Sequence, residues 1–199
     1  MSVHYLPITI EDIQTVTRLY VEHLNAGNYI EEHIREGMEQ EGFVGIKAVD
    51  QSRIIGMLTG RQGIDFTYPH PELEAYIHSR FDKSTLYTPD SLYVEAEYRE
   101  HDVARQLGKR LMHEICQKGY KRLLTELWIY PNGKVPAEAT VREWGNVIYN
   151  KDIPMFYKDG KKYGIECPKC GKQCNCGARI LVIDISEKFM EEGGEYEEE

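Results

Sequence analysis

Apolar residues recur along this chain with two different periods. In IEDIQTVTRLYVEHL, Ile13, Val16, Tyr20 and Leu24 fall three or four apart, on one face of a helix. Thr9 precedes them as a cap, and acids occupy the first turn. Gly27 ends that helix, and YIEEHIREGMEQ makes a second helical stretch before Gly42. VARQLGKRLMHEICQKG places Val103, Leu107, Leu111 and Ile115 on one face of a longer helix. The β-rich runs are of another kind. VHYLPITI reads as an edge strand, because Pro7 cannot donate to a neighbour. FVGIKAVD and RIIGMLTGR, separated by DQS, read as an antiparallel hairpin. SLYVEA, the long helix and RLLTELWIY form a β-α-β unit, and ARILVIDI supplies a late strand. Residues 61–89 mix prolines and aromatics around a short helix, Pro71 to Arg80, and read as an irregular insertion. The pattern predicts one α+β domain over residues 1–186, a mixed sheet covered by helices on both faces.

Composition narrows the functions open to such a domain. A chain of 199 residues suits a single domain with a real core. Its longest apolar runs are far shorter than a membrane span. MSVHYLPITIEDI carries neither a basic leader nor an apolar signal core, so a cytoplasmic location is expected. The formal charge is −9. Residues 187–199, EKFMEEGGEYEEE, hold seven Glu and one Lys, a net −6 that leaves −3 for the rest, and read as a solvated, disordered tail. This balance argues against general nucleic-acid binding and suits a cationic amine.

Tyr93, Val94, Ala96, Glu97, Tyr98 and Arg99, followed by Glu100, Asp102 and Ala104, resemble the signature of the general N-acetyltransferase (GNAT) superfamily. That signature is an aromatic-Val strand end, then Pro-Glu-Tyr-Arg-Gly-x-Gly-x-Gly/Ala, then a helix. Ala96 stands at the proline, and Glu100 and Asp102 stand at two glycines. NKDIPMFYKDGKKYG is similar to the family's Asn-x-x-Ala-x-x-Phe-Tyr-x-x-x-Gly segment, with Asn150 seven residues before Tyr157. The resemblance implies a GNAT-like acyl-CoA N-acyltransferase fold. It also implies acetyl-CoA as co-substrate and direct acetyl transfer to a primary amine of a small molecule or protein. The coenzyme-binding residues it implies are Tyr93, Val94, Arg99, Glu100, His101, Asp102, Val103, Ala104, Arg105 and Asn150, with the backbone of residues 99–104 and the helix start holding the pyrophosphate. Arg99, Arg105 and Lys109 add local positive charge.

The glycine-free turn matters because glycine allows close approach and unusual backbone angles. Two acids now stand beside the expected polyanion. Asp102, a preferred N-cap, is also expected to accept the N–H of Ala104 or Arg105 and so occupy a phosphate donor. An active acetyltransferase and a catalytically inactive, zinc-containing GNAT-like binding module therefore both remain open. A homodimer is compatible with either. For catalysis, the resemblance makes Tyr157 the acid that protonates the departing sulfur. Asp90 and Glu95 are candidate bases, Asp90 preferred, although TPDS is also a plain turn signal. Glu126 on the neighbouring strand is a further candidate, and a water relay is the alternative to any carboxylate.

CPKCGKQCNCG carries the second signal. Cys167, Cys170, Cys174 and Cys176 form a knuckle whose four sulfurs suit structural zinc, with a redox-active or reduced thiol cluster as the other reading. Lys158, Lys161, Lys162, Lys169, Lys172 and Arg179 surround it, against Asp159 and Glu166, as a solvated face or a docking patch. Cys116 reads as a core residue, and the histidines show no ligand spacing.

Overall fold

The computed structural model describes residues 2–24, 30–67, 69–163, 167, 169–171 and 173–191. A seven-stranded sheet, ordered β1-β2-β3-β4-β5-β7-β6, organises them. Its strands are β1 Val3–Pro7, β2 Val44–Asp50, β3 Arg53–Gln62, β4 Leu86–Val94, β5 Arg122–Ile129, β6 Gly145–Ile153 and β7 Gly177–Ile185. The helices are α1 Ile13–Leu24, α2 Ile30–Glu39, α3 Pro71–Arg80, α4 Val103–Gln117, α5 Glu138–Arg142 and α6 Lys188–Glu191. Every neighbouring strand pair is antiparallel except β4–β5. This is the mixed sheet with helices on both faces that the sequence predicts.

Each face has its own source of burial. On one side, Val103, Leu107, Leu111, Met112 and Ile115 of α4 pack on Ile46, Leu58, Leu123 and Ile183. Each such side chain contributes about 1.5–3 kcal/mol when fully buried. Gly108 lets α4 meet the segment before β6, since a Cβ there would lie 2.5 Å from Trp144 Nε1. On the other side, Ile13, Val16, Leu19 and Tyr20 of α1 cover Met57 and Tyr93. Thr9 and Asp12 form a capping box ahead of α1, with Thr9 N–H donating to Asp12 Oδ2 at 2.8 Å. Leu73 and Ile77 of α3 extend this second face over Leu86, Leu124, Ile180 and Val182.

The centre of the sheet is irregular in a way that opens it. β4 meets β5 only at Leu86↔Arg122 and Tyr87↔Leu123, and no further β4–β5 pairs follow. On its other edge β4 carries a bulge, because Thr59 of β3 faces both Asp90 and Ser91 between the Leu58↔Leu92 and Gly60↔Pro89 pairs. The extra residue shifts the alternation by one. Tyr87 and Val94, seven residues apart, therefore share the α4 face.

Four expectations change. β4 starts at Leu86 rather than Ser91, because Leu86, Tyr87 and Thr88 are buried and pair into the sheet, which shortens the irregular insertion. β6 is an additional strand, hidden in the sequence because an edge strand need bury only one row of side chains. α5 is likewise unforeseen. The acidic tail begins later than residue 187, since α6 inserts Phe189 into the α4 core. Residues 192–199 and Gly27 lie outside the described residues. Among the described residues, no helix is long and apolar enough to cross a membrane.

Candidate functional site

The turn between β4 and α4 keeps glycine's backbone without glycine. Glu100 has φ +66° and Asp102 φ +65°, both left-handed. Such angles cost a residue with a Cβ about 1–2 kcal/mol. Asp102 does not cap α4: its Oδ2 accepts Gln106 Nε2 at 2.8 Å, and Arg105 Nη1 lies 3.7 Å from Oδ1. The first helical bond runs from Gln106 N–H to Asp102 C=O at 3.0 Å, so the N–H groups of Val103, Ala104 and Arg105 precede the ladder. N–H groups of this kind, at the start of a 15-residue helix, suit an anion.

The other residues tied to the coenzyme by resemblance divide into two groups. Arg99 Nε donates to Val94 C=O at 3.0 Å and His101 Nδ1 to Arg99 C=O at 2.8 Å, so both side chains brace the turn. Val103 and Val94 are buried in the α4 core, Ala104 packs against it, and Tyr93 lies under α1. Arg105 Nε pairs with Glu143 at 2.8 Å. Asn150 lies elsewhere, exposed on β6 opposite Leu181.

Where β4 leaves β5, acidic and aromatic groups gather. Glu126 of β5 is half-buried and accepts Thr67 N–H at 3.0 Å, the Thr67 hydroxyl, and the Tyr157 hydroxyl at 2.6 Å. Burial raises its carboxyl above the ordinary glutamate range despite these donors, and the charge of Asp90 adds to the rise. Asp90, in the bulge, accepts Tyr20 Oη at 3.1 Å and lies 4.0 Å from Arg61 Nη2. Arg61 Nε also pairs with Asp65 at 2.9 Å. Burial raises the Asp65 carboxyl, with Arg61 opposing. Thr125 Oγ1, next to Glu126 on β5, is buried and has no hydrogen-bond partner among the described residues.

Tyr157 belongs to the 3-10 segment Phe156–Tyr163, between β6 and β7. It is 2% exposed and stacks on Trp128 at 3.9 Å between ring centroids. Glu95, five residues beyond Asp90, is instead taken up by Arg53, which also pairs with Glu97 at 3.3 Å. The structure thus brings Tyr157, Asp90 and Glu126 to one region and keeps Glu95 out of it. Glu126, on the sequence a further candidate base, gains its partners Thr67 and Tyr157 from distant segments.

The cysteines lie on the far side of Tyr157. Ligand atoms of Cys167, Cys170, Cys174 and Cys176 are all within 4.8 Å of one another. Sγ of Cys176 is 3.8 Å from that of Cys167 and 3.6 Å from that of Cys170. A tetrahedron of thiolates about 2.3 Å from zinc has edges of roughly 3.8 Å. Cys170 N–H points at Cys167 Sγ at 3.3 Å, and Gly171 N–H bonds Cys167 C=O at 2.8 Å, closing the knuckle turn. The donor set fits a metal. The surrounding basic group is less free than its sequence suggests: Arg179 binds Asp152 and Glu138, Lys162 pairs with Asp159, and Lys169 lies 5.8 Å from the Tyr130 ring. Lys172 and Glu166 lie outside the described residues.

No family model matches the sequence, and no curated protein matches it either. Solved structures do match. Arabidopsis thaliana NAA60 in complex with acetyl-CoA is 17% identical, with 92% of this chain and 99% of that chain covered and a TM-score of 0.64. The Escherichia coli ribosomal-protein-S18-alanine N-acetyltransferase is 13% identical, over 93% and 95% of the two chains, with a TM-score of 0.62. A Desulfovibrio desulfuricans protein described as an acetyltransferase of the GNAT family is 12% identical, over 93% and 100%, with a TM-score of 0.61. With its sheet order, its opened β4–β5 pair and these neighbours, the chain has the fold of the GNAT acetyltransferases.

Proposed function

We propose that this chain is an acetyl-CoA-dependent N-acetyltransferase acting on a primary amine of a small molecule or protein. The observation that carries the reading is the opening between β4 and β5, with an uncapped α4 start at one end and the Glu126–Tyr157 pair beside it. The unpartnered Thr125 hydroxyl on β5 suits an amide-bearing pantetheine arm. The α4 N–H groups suit a pyrophosphate. The neighbours add support, one by its bound acetyl-CoA and another by its protein-amine acceptor.

In the proposed reaction, Asp90 attracts the ammonium form of the acceptor and Glu126 takes its proton. The neutral nitrogen then attacks the thioester carbonyl, forming the C–N bond. As the C–S bond breaks, Tyr157 gives its phenolic proton to the sulfur and regains one from Glu126. Glu126 then takes the second proton, from the adduct nitrogen, and releases it to solvent; the first thus ends on the thiol, and the amide and free CoA leave. Tyr157 is given the part the resemblance implied, whereas the base is moved from Asp90, preferred on the sequence, to Glu126, whose carboxylate accepts the Tyr157 hydroxyl. Glu95 is proposed to hold Arg53 and the end of β4. Zinc is proposed at the four cysteines, where four thiolates leave no open position for chemistry and the role is structural. Thiolate ligation suits a reducing, cytoplasmic compartment.

The test is coenzyme binding followed by turnover on amine panels that include diamines and peptide N-termini. Acetyl-CoA at 1 mM is expected to raise Tm by about 5–10 °C if Kd is about 10 μM. Absence of any shift would favour the non-catalytic binding module.

A further inference from the structure

Cys176 immediately precedes β7, and its carbonyl accepts the N–H of Tyr157 at 3.4 Å. Phe156, Tyr157, Cys167, Cys174 and Cys176 are buried in one cluster. From there the Tyr157 ring stacks on Trp128 and its hydroxyl reaches Glu126. Three residues, Cys176, Tyr157 and Glu126, therefore form a continuous route from the sulfur cluster to the carboxylate. The hairpin is tight at this level: a Cβ on Gly177 would lie 2.7 Å from Ile153 C=O, so the end of β6 and the start of β7 touch.

We infer that Cys176 is a positioning residue for acetyl transfer. Metal ligation fixes the main chain at residues 174–177, and the Cys176 carbonyl then holds Tyr157 with its hydroxyl on Glu126. The knuckle acts on proton delivery and leaves the coenzyme turn, which follows β4, unaffected. This inference rests on the roles proposed above for Tyr157 and Glu126.

Trp128 supplies a readout independent of turnover. The chain has two tryptophans, so Trp144→Phe leaves Trp128 as the sole emitter. In that background, zinc-loaded protein is compared with protein stripped by a chelator under reducing conditions and then reloaded with zinc. Stripping is expected to shift Trp128 emission and speed exchange of the Tyr157 amide by about tenfold or more, with β4 still protected. It should lower kcat by about tenfold and change KM for acetyl-CoA less than about twofold. Zinc should restore both. Cys116→Ser, at the cysteine outside the cluster, should preserve emission and kcat, whereas Cys176→Ser should behave like stripped protein. Unchanged emission and Tyr157 exchange after metal loss overturn the inference. So does loss of protection across the whole sheet, or a rise in the acetyl-CoA KM with kcat intact. If turnover is absent under all conditions while emission and exchange follow the metal, the coupling stands and the catalytic reading fails.

Discussion

Tyr157 and Glu126 are 31 residues apart in sequence and 2.6 Å apart between phenol and carboxylate oxygens. The phenol donates and the carboxylate accepts. A proton donor and a proton acceptor are thereby held in one hydrogen bond, at the place where β4 and β5 separate. Removing the phenolic oxygen should leave the ring stacked on Trp128 but break the relay. Tyr157→Phe is expected to lower kcat by about 10²-fold with KM for acetyl-CoA nearly unchanged, measured by steady-state kinetics. Unaltered turnover would reduce Tyr157 to a packing residue.

Glu126 makes a prediction about stability as well as rate. Its folded pKa is raised, chiefly by burial. A group of this kind favours the folded state fully below its unfolded pKa, about 4.3, and that contribution is lost as pH rises through the folded pKa. Glu126→Gln should therefore raise Tm at pH 7–8, with the gain vanishing near about pH 4, while kcat falls. A Tm difference that does not vary with pH would contradict the desolvated carboxylate. In the unaltered protein, the proposed activity's kcat should climb with pH through the raised pKa, since the base works deprotonated.

Asp90 separates binding from chemistry. Asp90→Asn is expected to raise the acceptor KM by about tenfold with a smaller change in kcat, because it removes attraction for an ammonium and leaves Glu126 in place. A collapse of kcat at unchanged KM would instead make Asp90 the base.

The turn before α4 can be returned to glycine. In Asp102→Gly, relief of the left-handed backbone is offset by the entropy of a freer unfolded chain, so Tm without ligand should move little, within about 2 °C. Loss of a negative charge beside the phosphates should tighten acetyl-CoA by about 1 kcal/mol, read by calorimetry. Equal affinity in the two proteins would place the pyrophosphate elsewhere.

The sequence made some of this readable and concealed the rest, for physical reasons. Helical periodicity located α4 and its turn, because Val103, Leu107 and Leu111 must face a core. Periodicity says nothing of φ, so the glycine-like angles of Glu100 and Asp102 and the uncapped helix start emerged only in three dimensions. The spacing of the cysteines was enough to propose a metal site, since the ligands are local in sequence. Glu126 was hard to rank because a carboxylate on a strand acquires meaning from its partners, Thr67 and Tyr157. Asn150 stands at the asparagine of the family segment, with Ile153 at its alanine and Lys161 at its glycine, and lies exposed on a strand.

The two free edges of the sheet also bear on how this chain meets its own kind. β1 ends in Pro7, which has no N–H to offer a newcomer. β6 is kinked by an extra residue at Ile148 and carries Lys151 and Asp152 beyond it. Both devices spoil the flat, unpaired ladder that lets strands of separate molecules join end to end. Both margins of the sheet therefore disfavour strand-to-strand joining of copies, the first step of cross-β growth.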